Sequence, residues 1–257
     1  METEKTKKPI DLYFGMHAEI GITKHIGGKK ATNELIDLCR IDESKYVLDV
    51  GCGVGKTACY LAKEIGCKVM GIDLYEGMIR ESKKRAKRKG IEDKVEFKVA
   101  DAQNMPFADN TFDAVICESV VAFFDDKQKG ITEFKRVAKP GGHVGINELT
   151  WSETPTEEII DYMERTMGGD FHNSYGWKKL LESSGLKDIS VKFYRPNALK
   201  QFLDELSLME LRDFAMGYKV ILLFIKNKEY RNYMLGLTPP TFNIAKYLGN
   251  GIYIGRK

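Results

Sequence analysis

Val47-Leu48-Asp49-Val50-Gly51-Cys52-Gly53-Val54-Gly55 is the stretch that decides the fold of this chain. Val47, Leu48 and Val50 are strand formers. Three glycines at alternate positions then permit positive φ and let backbone N–H groups approach a ligand, and Lys56 to Ala62 reads as the first turns of a helix. Spacing separates the ligand-binding loops that share this outline. A phosphate-binding loop needs G-x-x-x-x-G-K-[ST]; Gly55-Lys56-Thr57 supplies its last three letters, but Val50 stands where its first glycine belongs. A dinucleotide fingerprint G-x-G-x-x-G needs glycine where this chain has Lys56, whose side chain does not serve close packing of helix on strand.

What remains is D-x-G-x-G-x-G, Asp49 to Gly55, and four further stretches accompany it. Lys68 to Asp73 reads as a buried strand ending in a carboxylate 18 residues beyond Gly55. Val95, Phe97 and Val99 alternate along a third strand that runs into Ala100-Asp101-Ala102. Asn104 to Ile116, with its Pro106-Phe107-Ala108-Asp109 and Thr111-Phe112-Asp113, leads into a fourth strand, and Val137 to Gly142 turns into a fifth. In this order the four signatures resemble the class I S-adenosylmethionine-dependent methyltransferases, strongly from Tyr46 to Asn147 and loosely outside it. The resemblance points to the branch acting on small molecules, such as the ubiquinone/menaquinone, sarcosine, tocopherol and phosphoethanolamine enzymes.

That resemblance implies an α/β, Rossmann-like fold: a seven-stranded, mostly parallel sheet with helices on both faces. It implies S-adenosylmethionine as cofactor and S-adenosylhomocysteine as product. Asp73 is then the acid that accepts from the ribose hydroxyls, and Asp101 the acid that accepts from the adenine amino group. Asp49, Gly51, Cys52, Gly53 and Gly55 form the glycine-loop side of the site, and Leu74, Met78, Ala102, Gln103 and Glu118 complete it. Asp113 and Pro140-Gly141-Gly142 read as turn residues rather than ligands.

With 257 residues and 43% apolar content, one α/β core with an appendage is expected. The formal net charge of +3 is too mild to demand a polyanionic partner. Met1 to Lys8 lacks the apolar core of a signal peptide, and the longest strongly apolar run, Val220 to Ile225, is far short of a membrane span, so the expected location is cytoplasmic. Five cysteines without a C-x-x-C pair, and four histidines without metal spacing, indicate neither a disulfide framework nor a metal site. The cysteines read as small buried hydrophobes, with Cys52 near the ligand.

Outside the core, Ala31 to Arg40 reads as the first helix. Residues 1–30 precede it as a lid segment, in which Ile10 to Lys29 is not a good helix. Its Ile26-Gly27-Gly28 resembles the segment that crosses the bound cofactor in the small-molecule branch, which makes Tyr13 and His17 pocket candidates. Arg80, Lys83, Lys84, Arg85, Lys87, Arg88 and Lys89 make a basic helix face, read as solvated. Thr154-Pro155-Thr156-Glu157 reads as a capping box with proline at N1, opening a helix that runs to Gly168-Gly169. Gly251 to Gly255 is the seventh strand, which gives a core of 31–195 plus 250–257. The stretch 196–249 is then a helical insertion between strands six and seven that caps the substrate, with amphipathic stretches at Leu199 to Met209 and Val220 to Tyr233. The Val220–Ile225 run is expected to pack on the core rather than on lipid, and the insertion is a possible oligomer contact.

The expected reaction is in-line methyl transfer to a small molecule, with Tyr13, His17, His25 and Glu118 as groups that could serve as base. A catalytically silent cofactor-binding subunit is the alternative, but Asp49, Asp73 and every glycine of the loop are intact. An RNA or protein methyltransferase ranks lower, because Cys117-Glu118-Ser119-Val120 replaces the N-P-P-[FYW] loop of many amino-methylating nucleic-acid enzymes.

Overall fold

A computed structural model describes residues 9–21, 23, 25–195, 211–237 and 244–257. Strands β1 (Tyr46–Val50), β2 (Lys68–Asp73), β3 (Val95–Val99), β4 (Phe112–Glu118), β5 (Ala138–Trp151), β6 (Lys187–Tyr194) and β7 (Leu248–Arg256) form one sheet in the order β3-β2-β1-β4-β5-β7-β6. All pairings are parallel except those of β7, which runs antiparallel between β5 and β6. The strand order reverses between β1 and β4, and an open α/β sheet binds its ligand at such a switch point, beyond the carboxyl ends of the strands.

Side chains along β1 alternate between two cores. Val47 joins a cluster with Leu35, Ile36, Ala58, Leu61 and Ile79 from helices α2 (Gly28–Leu38), α3 (Lys56–Tyr60, continued by a wider-turned Leu61–Ile65) and α4 (Glu76–Lys89). Leu48 and Val50 join Ile131, Phe134, Met163, Trp177 and Leu181 from α5 (Lys127–Val137), α6 (Glu157–Met167) and α7 (Ser174–Ser183) on the opposite face. Burial on both faces explains the nearly unbroken apolar runs of the central strands.

Several local expectations are corrected. Pro9–Ile20 is a helix, α1, although the sequence shows no helical period there. It touches α4, α6 and the insertion helices α8 (Leu211–Lys226) and α9 (Lys228–Gly236), so apolar side chains are needed around its axis rather than along one stripe. Thr156 is the N-cap of α6 without a side-chain capping bond, and Pro155 lies outside the helix, so the capping box does not form. Pro140-Gly141-Gly142 lies inside β5, at a register shift against β4, instead of making a turn before it. Strand β7 begins at Leu248, two residues before the expected core boundary, and the expected stretch Val220 to Tyr233 is broken at Asn227 into α8 and α9. The expected helix Leu199 to Met209 lies outside the described residues.

Candidate active site

The loop after β1 is glycine by necessity. Gly51, Gly53 and Gly55 have φ of 68°, 53° and 70°. A Cβ at Gly51 would collide with Val120 and one at Gly53 with Thr23, and one at Gly55 would come within 2.7 Å of Ser82 Cβ and 2.9 Å of Phe97. Both the backbone conformation and the close neighbours therefore exclude a side chain. The loop is pinned from three sides: the Cys52 N–H donates to Ile72 O (2.9 Å), the Gly53 N–H to Asp73 Oδ2 (2.9 Å), and Arg85 Nε to Val54 O (2.8 Å). Arg85 thus leaves the solvated basic face read from the sequence. Cys52 is buried with its Sγ against Gly71, so its thiol packs in the core and its backbone lines the loop.

Three carboxyl groups converge beneath this loop. Asp73, at the end of β2, is buried and accepts from the Gly53 and Tyr75 N–H groups, one on each oxygen; burial outweighs these bonds and raises its pKa. Asp49 is buried with Oδ2 unpartnered, and burial followed by the charges of Glu118 and Asp73 pushes its pKa well up. Glu118, at the end of β4, accepts from Thr57 Oγ1 (2.9 Å), Thr32 Oγ1 (3.0 Å) and Asn147 Nδ2 (3.2 Å), and His25 Nδ1 lies 3.3 Å from its Oε2. Glu118 is therefore bound into the frame, tying α2, α3 and β5 together.

The N-terminal segment closes over the same rim. Ile26 is held by its backbone on both sides, its N–H donating to Ser119 Oγ (3.0 Å) and its carbonyl accepting from Asn147 Nδ2 (2.9 Å). Thr23 packs on Gly53, and Gly27 packs on Asn250 of β7. Behind this strap, α1 carries Tyr13 and Phe14 onto Phe123 of the loop after β4, with Phe14 also 5.8 Å from Tyr75 between ring centroids. Phe123 meets Phe171, which meets Trp151, so a run of rings crosses from the end of β2 to the end of β5. His17 is part of it, its ring 4.3 Å from that of Tyr13 and its Nδ1 2.7 Å from Tyr13 O.

Of the residues singled out from the sequence, Asp49, Gly51, Gly53, Gly55, Asp73 and Glu118 come together around the loop. Leu74 (63% exposed) and Asp101 project from the ends of β2 and β3 on the same rim. Asp101 Oδ1 accepts the Gln103 N–H, and Gln103 Oε1 accepts from Asp126 N–H, which fixes that turn to the start of α5. Met78 and Ala102 have their side chains buried. Tyr13 and His17 stand on α1. Sequence reasoning missed Thr32, Thr57, Ser119, Phe123 and Asn250; only Ser119, with its left-handed φ of 59°, carries a local peculiarity, and it is visible only in three dimensions.

The model of the methyltransferase domain family matches residues 48–146, which span the loop, both rim acids and Glu118. An uncharacterized protein of Haemophilus influenzae is 32% identical over 177 residues, covering 67% of this chain and 70% of that protein. The chain belongs to the S-adenosylmethionine-dependent methyltransferases. Phosphoethanolamine N-methyltransferase 1 of Triticum aestivum is 35% identical over 164 residues, 63% of this chain but only 32% of the wheat protein, so the chain spans about a third of that relative's length. Among solved structures, a Haemonchus contortus phosphoethanolamine N-methyltransferase 2 in complex with S-adenosyl-L-methionine superposes with a TM-score of 0.73 at 21% identity, over 99% of this chain and 58% of that one.

The residues present fit the methyltransferase cofactor. Its sulfonium and ammonium are cationic, and the loop covers three clustered carboxyl groups, one with an orphaned buried oxygen at Asp49. Asp73 accepts one N–H on each oxygen and so keeps a lone pair on each for a diol.

Proposed function

We propose that the chain transfers the methyl group of S-adenosylmethionine to a small-molecule acceptor that lies between α1 and the loop Ser119 to Phe124. The observation that carries this reading is enclosure: the strap at Ile26 is clasped by Ser119, just past β4, and by Asn147 within β5, and α1 covers the rim behind it. A nucleic acid or a protein acceptor needs an open trough there. The ring-lined wall of Tyr13, Phe14, Phe123, Phe171 and Trp151 favours an apolar or amphiphilic molecule.

When bound, the cofactor supplies a methyl on a sulfonium, the electrophile of an in-line displacement. Asp73 would hold the ribose, Asp101 the adenine amino group with Leu74 beside the ring, and the Gly51–Gly55 backbone the amino-acid tail. The protein's share is to orient the acceptor and exclude water, worth up to roughly 7–11 kcal/mol when the geometry is right. Burial raises the Tyr13 pKa, so its hydroxyl keeps its proton and acts as a donor that positions the acceptor rather than as a base. His25 and Glu118 serve each other and the strap. The N-terminal segment and the insertion between β6 and β7 together form the cap.

Incubating the chain with methyl-labelled cofactor and a fractionated extract tests this. Label is expected in the low-mass fraction; label confined to RNA or protein would refute the small-molecule reading, and no label at all would favour the silent cofactor-binding alternative.

A further inference from the structure

The apolar run Val220 to Ile225 does not pack wholly inward. Ile221 (59% exposed), Phe224 (36%) and Ile225 (63%) face solvent, and Tyr218 (63%) extends them one turn back. Positions 218, 221 and 225 share one side of α8, so these side chains make a continuous stripe of a kind that monomers seldom show to water. Exposed cations border it: Lys219 and Lys226 on the same helix, and Lys228 at the start of α9.

Lys219, next to Tyr218 in the chain, reaches from α8 toward α4. Lys219 Nζ donates to Ile20 O at the end of α1 (3.1 Å), and Lys219 Nζ and Glu81 Oε2 lie 3.6 and 4.0 Å from the position a Cβ would take at Gly21. The exposed side of α4 carries Arg80, Lys83, Lys87 and Arg88, while Glu81 is already paired with Lys84 (2.7 Å). Exposed Glu76 and Glu229 offset only part of this charge, and apolar side chains beside a net positive charge are the complement of an anionic lipid surface.

We propose that α8 and the outer side of α4 form a peripheral docking face for an anionic bilayer. Ile221, Phe224 and Ile225 enter the boundary between headgroups and acyl chains, Tyr218 sits at the interface, and Lys226, Lys228 and the α4 cations meet lipid phosphates. No helix among the described residues is long and apolar enough to cross a membrane, so attachment is in-plane. Because Lys219 holds the end of α1, the attached face lies next to the cap of the site. The inference does not depend on what the acceptor is.

Flotation of the chain with large vesicles tests it, comparing phosphatidylcholine alone with a mixture containing roughly one-third phosphatidylglycerol. The protein is expected to float with the anionic vesicles, less so in high salt, and hardly with the neutral ones. The pair Ile221→Glu/Ile225→Glu, and separately Lys83→Glu/Lys87→Glu, should each weaken partition by roughly tenfold or more, since each basic residue near the surface contributes on the order of a factor of five. Calorimetry with S-adenosylhomocysteine on both variants, expected unchanged, separates loss of docking from loss of the fold or of the cofactor site. Absence of flotation with anionic vesicles would overturn the proposal. So would a dimer in light scattering that Ile221→Glu/Ile225→Glu dissolves without any vesicle binding by the parent chain, because a second copy would then own the stripe.

Discussion

Gly53 donates its backbone N–H to Asp73 Oδ2 across 2.9 Å, so the glycine loop and the acid of the next strand form one rigid unit. Asp73→Ala removes that clamp together with the proposed ribose acceptor. Hydrogen bonds to a charged group contribute about 1.5–3 kcal/mol each. Calorimetry should therefore show S-adenosylhomocysteine affinity falling by tenfold at the least, and Asp73→Asn should lose less. An unchanged affinity in the alanine variant would remove the assigned role.

The raised pKa of Asp73 gives this affinity a pH dependence of predictable sign. The ionised carboxylate is the form that can accept from two hydroxyls, and burial makes it take up a proton at higher pH than an ordinary aspartate. Affinity should weaken as pH falls, beginning above the usual carboxylate range. The effect should vanish in Asp73→Asn, which isothermal titration over a pH series can check.

Gly53→Ala meets two separate obstacles, the left-handed φ of 53° and the Thr23 side chain. The first costs about 1–2 kcal/mol in any surroundings, whereas the second depends on Thr23 Cγ2. Thr23→Ser deletes that methyl, so the double variant should recover part of the melting temperature lost by Gly53→Ala, but not all of it. Full recovery would mean that the backbone carries no strain there.

Glu148 is fully buried in β5, its Oε1 accepting from the Val120 and Val121 N–H groups and its Oε2 unpartnered, and burial pushes its pKa from 4.5 up to about 8. In that window the folded protein keeps a proton that the unfolded chain has released, so stability falls as pH rises between 4.5 and about 8. Glu148→Gln keeps an acceptor for the two N–H groups without the ionisation. Urea midpoints followed across this range should decline more steeply for the parent chain than for the variant.

Asn147→Ala strikes the strap. It leaves the Ile26 carbonyl without its donor and breaks contacts to Glu118 and Asn250 inside a buried network. Stability should drop by about 1–3 kcal/mol. Protease cleavage near His25 to Gly28 should become faster, and an unaltered cleavage rate would show that Asn147 does not hold the strap.

The parts of this molecule that were readable in its sequence are those governed by neighbours in the chain. Gly51, Gly53 and Gly55 each answer to their own φ, and the alternation of Val47 and Leu48 between two cores follows from the strand period of two. The order of motifs carried the sheet topology as well. Helix α1 was not readable, because a helix touched by four others needs no polar side and shows no period. Nor was the engagement of Glu118, whose partners Thr57 and Thr32 lie 61 and 86 residues away. Position on the rim identified Glu118 as important but could not show that its oxygens are already occupied. The Thr154 capping box had the right letters, yet Thr156 took the N-cap and the box stayed open.

The clasp on Ile26 bears on the timing of catalysis. On the proposed placement of the cofactor beneath it, the spent nucleoside leaves only after the bonds that Ile26 makes with Ser119 and Asn147 let go, and egress rather than chemistry is then the expected bottleneck. A rapid-quench experiment should then reveal a burst of methylated product equal to the enzyme concentration, followed by a slower steady phase that accelerates when Ser119 is replaced by alanine.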